Sequence, residues 1–445
     1  MEATAINAAP TTRRSIPGLP PRPRMSRALQ TAIWSRQAQW MLEQCRSRFG
    51  PMFRLNIANE GTWVIVSDPE VVKDIFTGDP RVFHAGEGNQ ILRPILGQNS
   101  VLVLDEKPHI SQRRLLLPPF HGERMQGYGE KMAEIAAREI ESWPTGTPYK
   151  LRPRMQAITL EIILETVFGV HGGTRMEPLR AALRDFLDLT TNPRVLLPVI
   201  LAGPERINRF PAFRRRIGRV DELIYGEITE RRAAEDLEQR DDILSMLVAA
   251  RHEDGSPMSD PEIRDELLTL LVAGHETTAT ALSWAMERLT RHPQKLERLR
   301  DETLAGDESY LTATIQETLR LRPVIVIVIR KLTESVELGG YELPAGVAVA
   351  PCIHLIHRDP EIYPEPDSFV PERFLDDPPG TYTWIPFGGG IRRCLGASFA
   401  QFEMSVVLRE LVKRHQVRPA NPASERPFRR AITETPRHDA EVVLS

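Results

Sequence analysis

Between about His109 and Leu321, apolar residues recur at three- and four-residue spacing with few interruptions. Segments near 124–141, 152–168, 176–190, 210–235, 240–251 and 260–291 all carry this pattern, which is that of helices burying one face. Such a stretch can hide its apolar stripes only by packing helix on helix. A mainly α protein with a small β minority is therefore expected.

The flanks do carry strand signals. The stretch from about Ser26 to Phe49 reads as one more helix, stopped by Gly50-Pro51. Met52–Ile57 alternates, and Trp63–Val66 is a compact β-branched run before Asp68-Pro69. Pro69 suits the first turn of a following helix. After Arg322-Pro323 come Val324–Ile329, Ser335–Leu338 and Val347–Val349, all with strand character. Residues 84–104 hold scattered glycines without a clear period, so a long loop with one short helix is expected there. Residues 357–393 are rich in Pro, Gly and Asp and read as irregular; a last helix spans about Ala397–His415. Ile16–Arg24 is proline-rich, so residues 1–25 are expected to form an extended leader and residues 26–445 one domain.

Composition excludes some functions. With 57 basic and 60 acidic residues, the chain is not a broadly basic nucleic-acid-coating protein. Three cysteines, Cys45, Cys352 and Cys394, cannot build a disulfide scaffold and read as free thiols unless one is a ligand. No run approaches the roughly 18 apolar residues of a membrane span, and Met1–Ser15 lacks a basic-then-apolar signal pattern. A cytoplasmic location is expected.

The most informative segment is Phe387–Gly396, with a run of three glycines (388–390), two arginines, Cys394 and a closing Gly396 just before the last helix. Glycines let a backbone approach a partner closely. A helix start and the neighbouring Arg392 and Arg393 favour thiolate over thiol. A thiolate so presented suits a soft metal centre such as haem iron, whereas a lone cysteine elsewhere would be a small buried apolar residue.

Here the chain resembles the cytochrome P450 family of haem-thiolate enzymes. The family's loop has the form F-x-x-G-x-[RH]-x-C-x-G, filled by Phe387, Gly390, Arg392, Cys394 and Gly396. Glu317-Thr-Leu-Arg320 matches the family's E-x-x-R pair, and Pro371–Phe374 supplies Arg373, the third member of that brace. Alone, a Glu and an Arg three apart on a helix would be a weak surface ion pair. Ala273–Thr278 matches the family's oxygen-side motif. Gly274 weakens a helix by about 1 kcal/mol relative to alanine, and Thr277 and Thr278 can bond back to earlier carbonyls and bend it.

The resemblance implies a cytochrome P450 fold: a helical triangular prism with a small β region near the N-terminus. It implies haem b between the 260–291 helix and the Cys394 loop, with Cys394 as the iron ligand and Phe387 in the loop that carries it. It implies Thr277 and Glu276 as the groups that manage protons, and His109, Arg113, Arg330 and Arg392 as partners of the two haem propionates. The implied reaction is monooxygenation, either hydroxylation or epoxidation. A haem gas sensor would need the loop without Glu276-Thr277, and a peroxide-using relative would usually replace that pair. Aliphatic residues at the regions matching the family's substrate contacts point to an apolar substrate: Ile91, Leu92, Ile95, Leu96, Leu196, Leu197, Val199, Ile200, Leu270, Ala273 and the 324–328 run. The chain ends soon after Cys394, so electrons are expected from a separate ferredoxin and its reductase, or a flavodoxin. Arg114, Arg124 and Arg393 are the expected docking charges.

Overall fold

The computed structural model describes residues 18–120, 123–169, 176–191, 207, 209–376 and 380–445. The helices that frame the site are α1 (Arg27–Phe49), α2 (Pro69–Thr77), α3 (Glu106–Leu116), α4 (Glu123–Glu141), α5 (Leu151–Phe168), α6 (Glu177–Thr191), α7 (Pro211–Arg232), α8 (Asp260–Leu289), α9 (Ser309–Leu321) and α10 (Ala397–Arg414). Within the described residues of 123–321, the periodic segments thus correspond to helices. Their apolar stripes meet in one large core that includes Leu164, Leu267, Leu282, Leu311 and Leu408.

Helix α8 is the axis of the molecule. Its start is a capping box: Ser259 Oγ accepts from Glu262 N, while the Glu262 carboxylate accepts from Ser259 N (2.8 Å). It packs most extensively on α5 and also meets α7, α9 and α10. Gly274 permits part of that approach, since a Cβ there would lie 3.3 Å from Ile163 Cδ1 of α5. Helix α8 keeps its helical backbone unbroken through Gly274, Thr277 and Thr278.

The strands β1 (Met52–Ile57), β2 (Gly61–Val66), β3 (Phe83–His84), β4 (Tyr149–Lys150), β5 (Arg330–Leu332), β6 (Val336–Leu338), β7 (Tyr341–Leu343), β8 (Ala348–Pro351), β9 (Val417–Pro419), β10 (Pro427–Arg430), β11 (Thr433–Pro436) and β12 (Glu441–Leu444) form four small sheets. The largest has the order β1-β2-β8-β5-β3. Trp63 pairs with Ala348 in the parallel β2/β8 ladder, and Arg330 pairs with Val349 across β5/β8. The β structure is therefore not confined to the N-terminal part, and the strands after Val417 were not anticipated.

Two further expectations are corrected. Val324–Ile329 is not a strand. Its backbone bonds go to three separate places: Glu434 N to Val324 O, His354 N to Val326 O, and Val328 N to Pro351 O. Scattered partners satisfy the peptide groups without a ladder. Residues 84–104 hold two short helices, Ala85–Gly88 and Arg93–Leu96, with a 3-10 turn at Gln90–Leu92 between them. No helix among the described residues is long and apolar enough to cross a membrane.

Candidate active site

The cysteine loop is shaped by its glycines. Gly388 and Gly390 adopt φ of +67° and +64°, a left-handed backbone that favours glycine. A Cβ on Gly390 would fall 1.9 Å from the carbonyl oxygen of Phe76 in α2, and one on Gly389 would strike the Phe76 ring. The loop therefore lies directly against α2. Cys394 N donates to Phe387 O (3.0 Å), closing the turn. Phe387 packs edge-on to Trp384 at 6.1 Å, and Trp384 Nε1 donates to Gln316 O of α9 (3.2 Å).

Cys394 is accessible to solvent, whereas Cys45 and Cys352 are buried. Protein surrounds the Cys394 thiol closely enough that burial raises its pKa above the ordinary value. The Gly396 N–H, Arg113 and Arg393 pull the other way. Arg113 rather than Arg392 is thus the partner of Arg393 in favouring thiolate. Arg392 is turned to the 84–104 region: it donates to Val101 O (3.1 Å), to Leu104 O and to Asp105 Oδ1 (2.6 Å).

His109 and Arg113 lie one turn apart on α3, and Arg330 opens β5. Burial lowers the His109 imidazole pKa to about 3, and the positive charges of Arg392, Arg113 and Arg330 all add to it. The four expected basic groups are therefore gathered in one place. His109 is buried, and its Nδ1 has no hydrogen-bond partner among the described residues. Arg330 is buried too and donates to its neighbour Ile329 O (2.9 Å), with its guanidinium 5.7 Å from the Phe76 ring centroid. Among the described residues the Asp105 carboxylate is bonded to this group only through Arg392, and buried cations beside an unpartnered imidazole are costly unless further anions join them. Two propionates of a haem held by Cys394 would answer that need, so the residues present fit the group.

On α8, Thr277 Oγ donates to Ala273 O (2.6 Å), and Ala273 is exposed although it lies mid-way along a core helix. Glu276 is held on another side. It accepts from Arg152 Nη1 (3.2 Å) and Gln156 Nε2 (2.5 Å) of α5, and Thr280 Oγ lies at 3.5 Å. Arg152 in turn binds Asp439 (2.7 Å), which also accepts from Arg430 (3.0 Å). Burial raises the Glu276 pKa, and Arg152 opposes it. This chain of charges from α8 to the C-terminal strands had no signal in the sequence, because its members are far apart in the chain.

Behind the loop, Glu317 and Arg320 are fully buried and bonded twice, at 2.6 and 2.9 Å. Arg320 also donates to His357 O, Pro366 O and Ser368 O at 2.7–3.0 Å. Arg373 reaches Glu317 at 3.4 Å. The three expected partners therefore do meet, and together they pin irregular chain. His357 is a member the sequence reading missed. Ile385 N donates to His357 Nε2 (2.9 Å), which makes Nδ1 the protonated nitrogen facing Arg320 O (3.2 Å). His357 therefore ties the brace to the segment that enters the cysteine loop.

Of the aliphatic residues expected near a substrate, Leu96 is buried, Ile95 and Leu270 are partly buried and Ile91 is exposed. Leu196, Leu197, Val199 and Ile200 lie outside the described residues.

Comparison with known proteins gives the same answer as the geometry. The family model described as Cytochrome P450 matches residues 16–439. The chain is 45% identical over 433 residues to cytochrome P450 135B1 of Mycobacterium bovis, covering 96% of this chain and 91% of the relative. It is 38% identical over 429 residues to cytochrome P450 135A1 of Mycobacterium tuberculosis, covering 96% and 95%. Among solved structures, the retinoic-acid-bound cyanobacterial CYP120A1 superposes with a TM-score of 0.84 at 25% identity, over 96% of this chain and 99% of that one. An accessible thiol in a glycine loop, a buried Glu-Arg brace behind it and a matching family model over nearly the whole length lead to one conclusion: the chain belongs to the cytochrome P450 family of haem-thiolate monooxygenases.

Proposed function

We propose that this chain inserts one oxygen atom of dioxygen into an apolar small molecule, by hydroxylation or epoxidation, with electrons from a separate ferredoxin-type protein. The observation that carries the reading is the accessible Cys394 thiol beside the gathered His109, Arg113, Arg330 and Arg392. Cys394 would ligate the iron of haem b, while the basic group would hold its propionates. When bound, haem supplies the oxygen-activating chemistry, and a thiolate ligand favours O–O cleavage.

The residues of this chain would do the rest. Thr277 would offer its hydroxyl as a proton donor from the exposed stretch of α8 that includes Ala273. Glu276 would pass protons inward, and its bonds to Arg152 and Gln156 fix the carboxyl that does so. The presence of this pair supports oxygen activation over peroxide use or simple gas binding. Ile91, Leu92, Ile95, Leu96 and Leu270 would exclude water and favour an apolar ligand. Retinoic acid, bound in the cyanobacterial structure, is apolar along most of its length, which supports the same class here.

The deciding experiment is the spectrum of the reduced, carbon-monoxide-bound protein with and without Cys394. Wild type should show the red-shifted Soret band of a thiolate-ligated haem, and Cys394→Ser should lose it. An unchanged band in the variant would remove Cys394 as the ligand. Spin-state titration should then rank long or polycyclic apolar ligands above polar ones of equal size.

A further inference from the structure

Val101 occupies an unusual position between the two halves of the site. Its N–H donates to Glu266 Oε1 of α8 (2.9 Å), and its carbonyl accepts from Arg392 Nη1 (3.1 Å). One residue thus links the oxygen-side helix to the arginine two places before Cys394. We propose that Glu266 is a positioning residue for Arg392, acting through the backbone of Val101, and that it thereby helps set how the propionate side of the haem is held. The inference rests on the reading of Arg392 as a propionate partner.

The geometry around Val101 leaves this link little slack. The preceding residues are strapped to the same turn of α8. Asn99 donates from both its backbone N and its side chain to Asp265 Oδ2 (2.9 Å each). Thr269 Oγ meets Ser100 Oγ at 2.7 Å. Gly97, at φ +92°, lies so close that a Cβ would come 2.0 Å from Asp265 Oδ1. On the far side Arg392 also grips Leu104 O and Asp105, and Asp105 accepts from Gly86 N (2.7 Å) and Glu87 N (2.8 Å). The segment 97–105 is therefore clamped at both ends. A shift of Val101 must move either the helix contact or the guanidinium.

Glu266 has no other assigned work. It is fully buried, and its Oε2 has no partner among the described residues. Burial raises the carboxyl well above the usual carboxylate range, with Asp265 and Glu262 adding to it and the Val101 N–H opposing it. A buried acid kept for a single backbone bond is costly for packing alone, because an apolar side chain would fill the same space without a polar group to satisfy.

The test compares Glu266→Met, which keeps length but removes the acceptor, with Glu266→Gln, which keeps it. Haem release from the holoprotein to excess apomyoglobin and the reduction potential are measured for each. Glu266→Met should release haem at least fivefold faster and shift the potential, while Glu266→Gln stays within twofold of wild type. Thr269→Val, which cuts a different strap of the same segment, should also stay within twofold. Arg392→Gln should speed release, and Glu266→Met in that background should add less than twofold, because both changes break one linkage. Multiplying effects, or a Glu266→Met protein that matches wild type while Arg392→Gln does not, would overturn the inference alone. An Arg392→Gln protein that holds haem normally would overturn the propionate reading and this inference with it. Should Glu266→Met give no holoprotein, Glu266→Asp must show faster release than Glu266→Gln, and equal rates would reject the proposal.

Discussion

The guanidinium of Arg320 and the carboxylate of Glu317 face each other one helical turn apart, 2.6 Å at the closest approach, with neither side chain exposed. The pair also gathers carbonyls from residues 357, 366 and 368. Removing one partner leaves a buried charge and several unpaired groups. Arg320→Ala should therefore cost roughly 3–5 kcal/mol of stability, read as a lower denaturation midpoint in urea with loss of haem. A variant within 1 kcal/mol of wild type would show that the brace is dispensable.

Acid should unfold the protein partly through buried histidines. Burial holds His357 and His275 at about 3 and His354 at about 4, against an ordinary value near 6.5. Above 6.5 these groups are neutral whether folded or not. As pH falls from 6.5 toward 3, the unfolded chain binds protons that the folded chain refuses, so stability is lost at about 1.4 kcal/mol per pH unit for each group. Glu434, raised by burial to about 7, acts oppositely between 4.5 and 7, where stability from its neutral form fades as pH rises. His357→Gln should flatten the slope of stability against pH between 6.5 and 4 by about one group's share. Urea midpoints across that window would measure it, and an unchanged slope would show that His357 is not kept neutral.

Gly390→Ala should damage the cysteine loop more than an ordinary loop substitution. The position has φ of +64°, and the added methyl would meet the backbone of Phe76 rather than a flexible side chain. A left-handed non-glycine residue costs roughly 1–2 kcal/mol by itself, and the clash adds to it. The expected outcome is reduced haem occupancy and a Soret band shifted from the wild-type position. Normal occupancy and spectrum would mean that α2 can yield.

Thr277→Ala removes the hydroxyl now bonded to Ala273 O. The helix should persist, since α8 is unbroken and packed along its length. Haem content and ligand spin shifts should match wild type, while product formed per electron consumed should fall several-fold and peroxide should rise. Equal coupling in the two proteins would remove Thr277 from proton handling.

Docking of an acidic electron donor should depend on Arg393 more than on Arg114. Arg114 is exposed but already paired with Glu253, while Arg393 is exposed beside Cys394 with no ion-pair partner among the described residues. The side chain of Arg124 lies outside the described residues. Reduction by an added ferredoxin should slow as salt rises, because steering is screened over about 8 Å at physiological ionic strength. Arg393→Glu should slow it further, and Arg114→Glu should do less. Rates indifferent to salt and to both reversals would exclude this face.

The features legible without any tertiary contact were local or borne by motifs. Helical periodicity and the Asp68-Pro69 start depend on neighbours within a turn, so they were readable before any contact was known. The Phe387–Gly396 loop was readable because its glycines are demanded by backbone geometry close at hand. Tertiary structure alone decided the rest. Val324–Ile329 has the composition of a strand but finds no neighbouring ladder. Arg392 gives its hydrogen bonds to Val101, Leu104 and Asp105, almost three hundred residues earlier in the chain. His357, Arg152 and Phe76 join the site only because folding brings them to Ile385, Glu276 and Gly390. Hydrogen bonds and van der Waals contacts act over a few ångströms, so chain distance carries no record of them. Only the packed fold decides which buried group each side chain must satisfy.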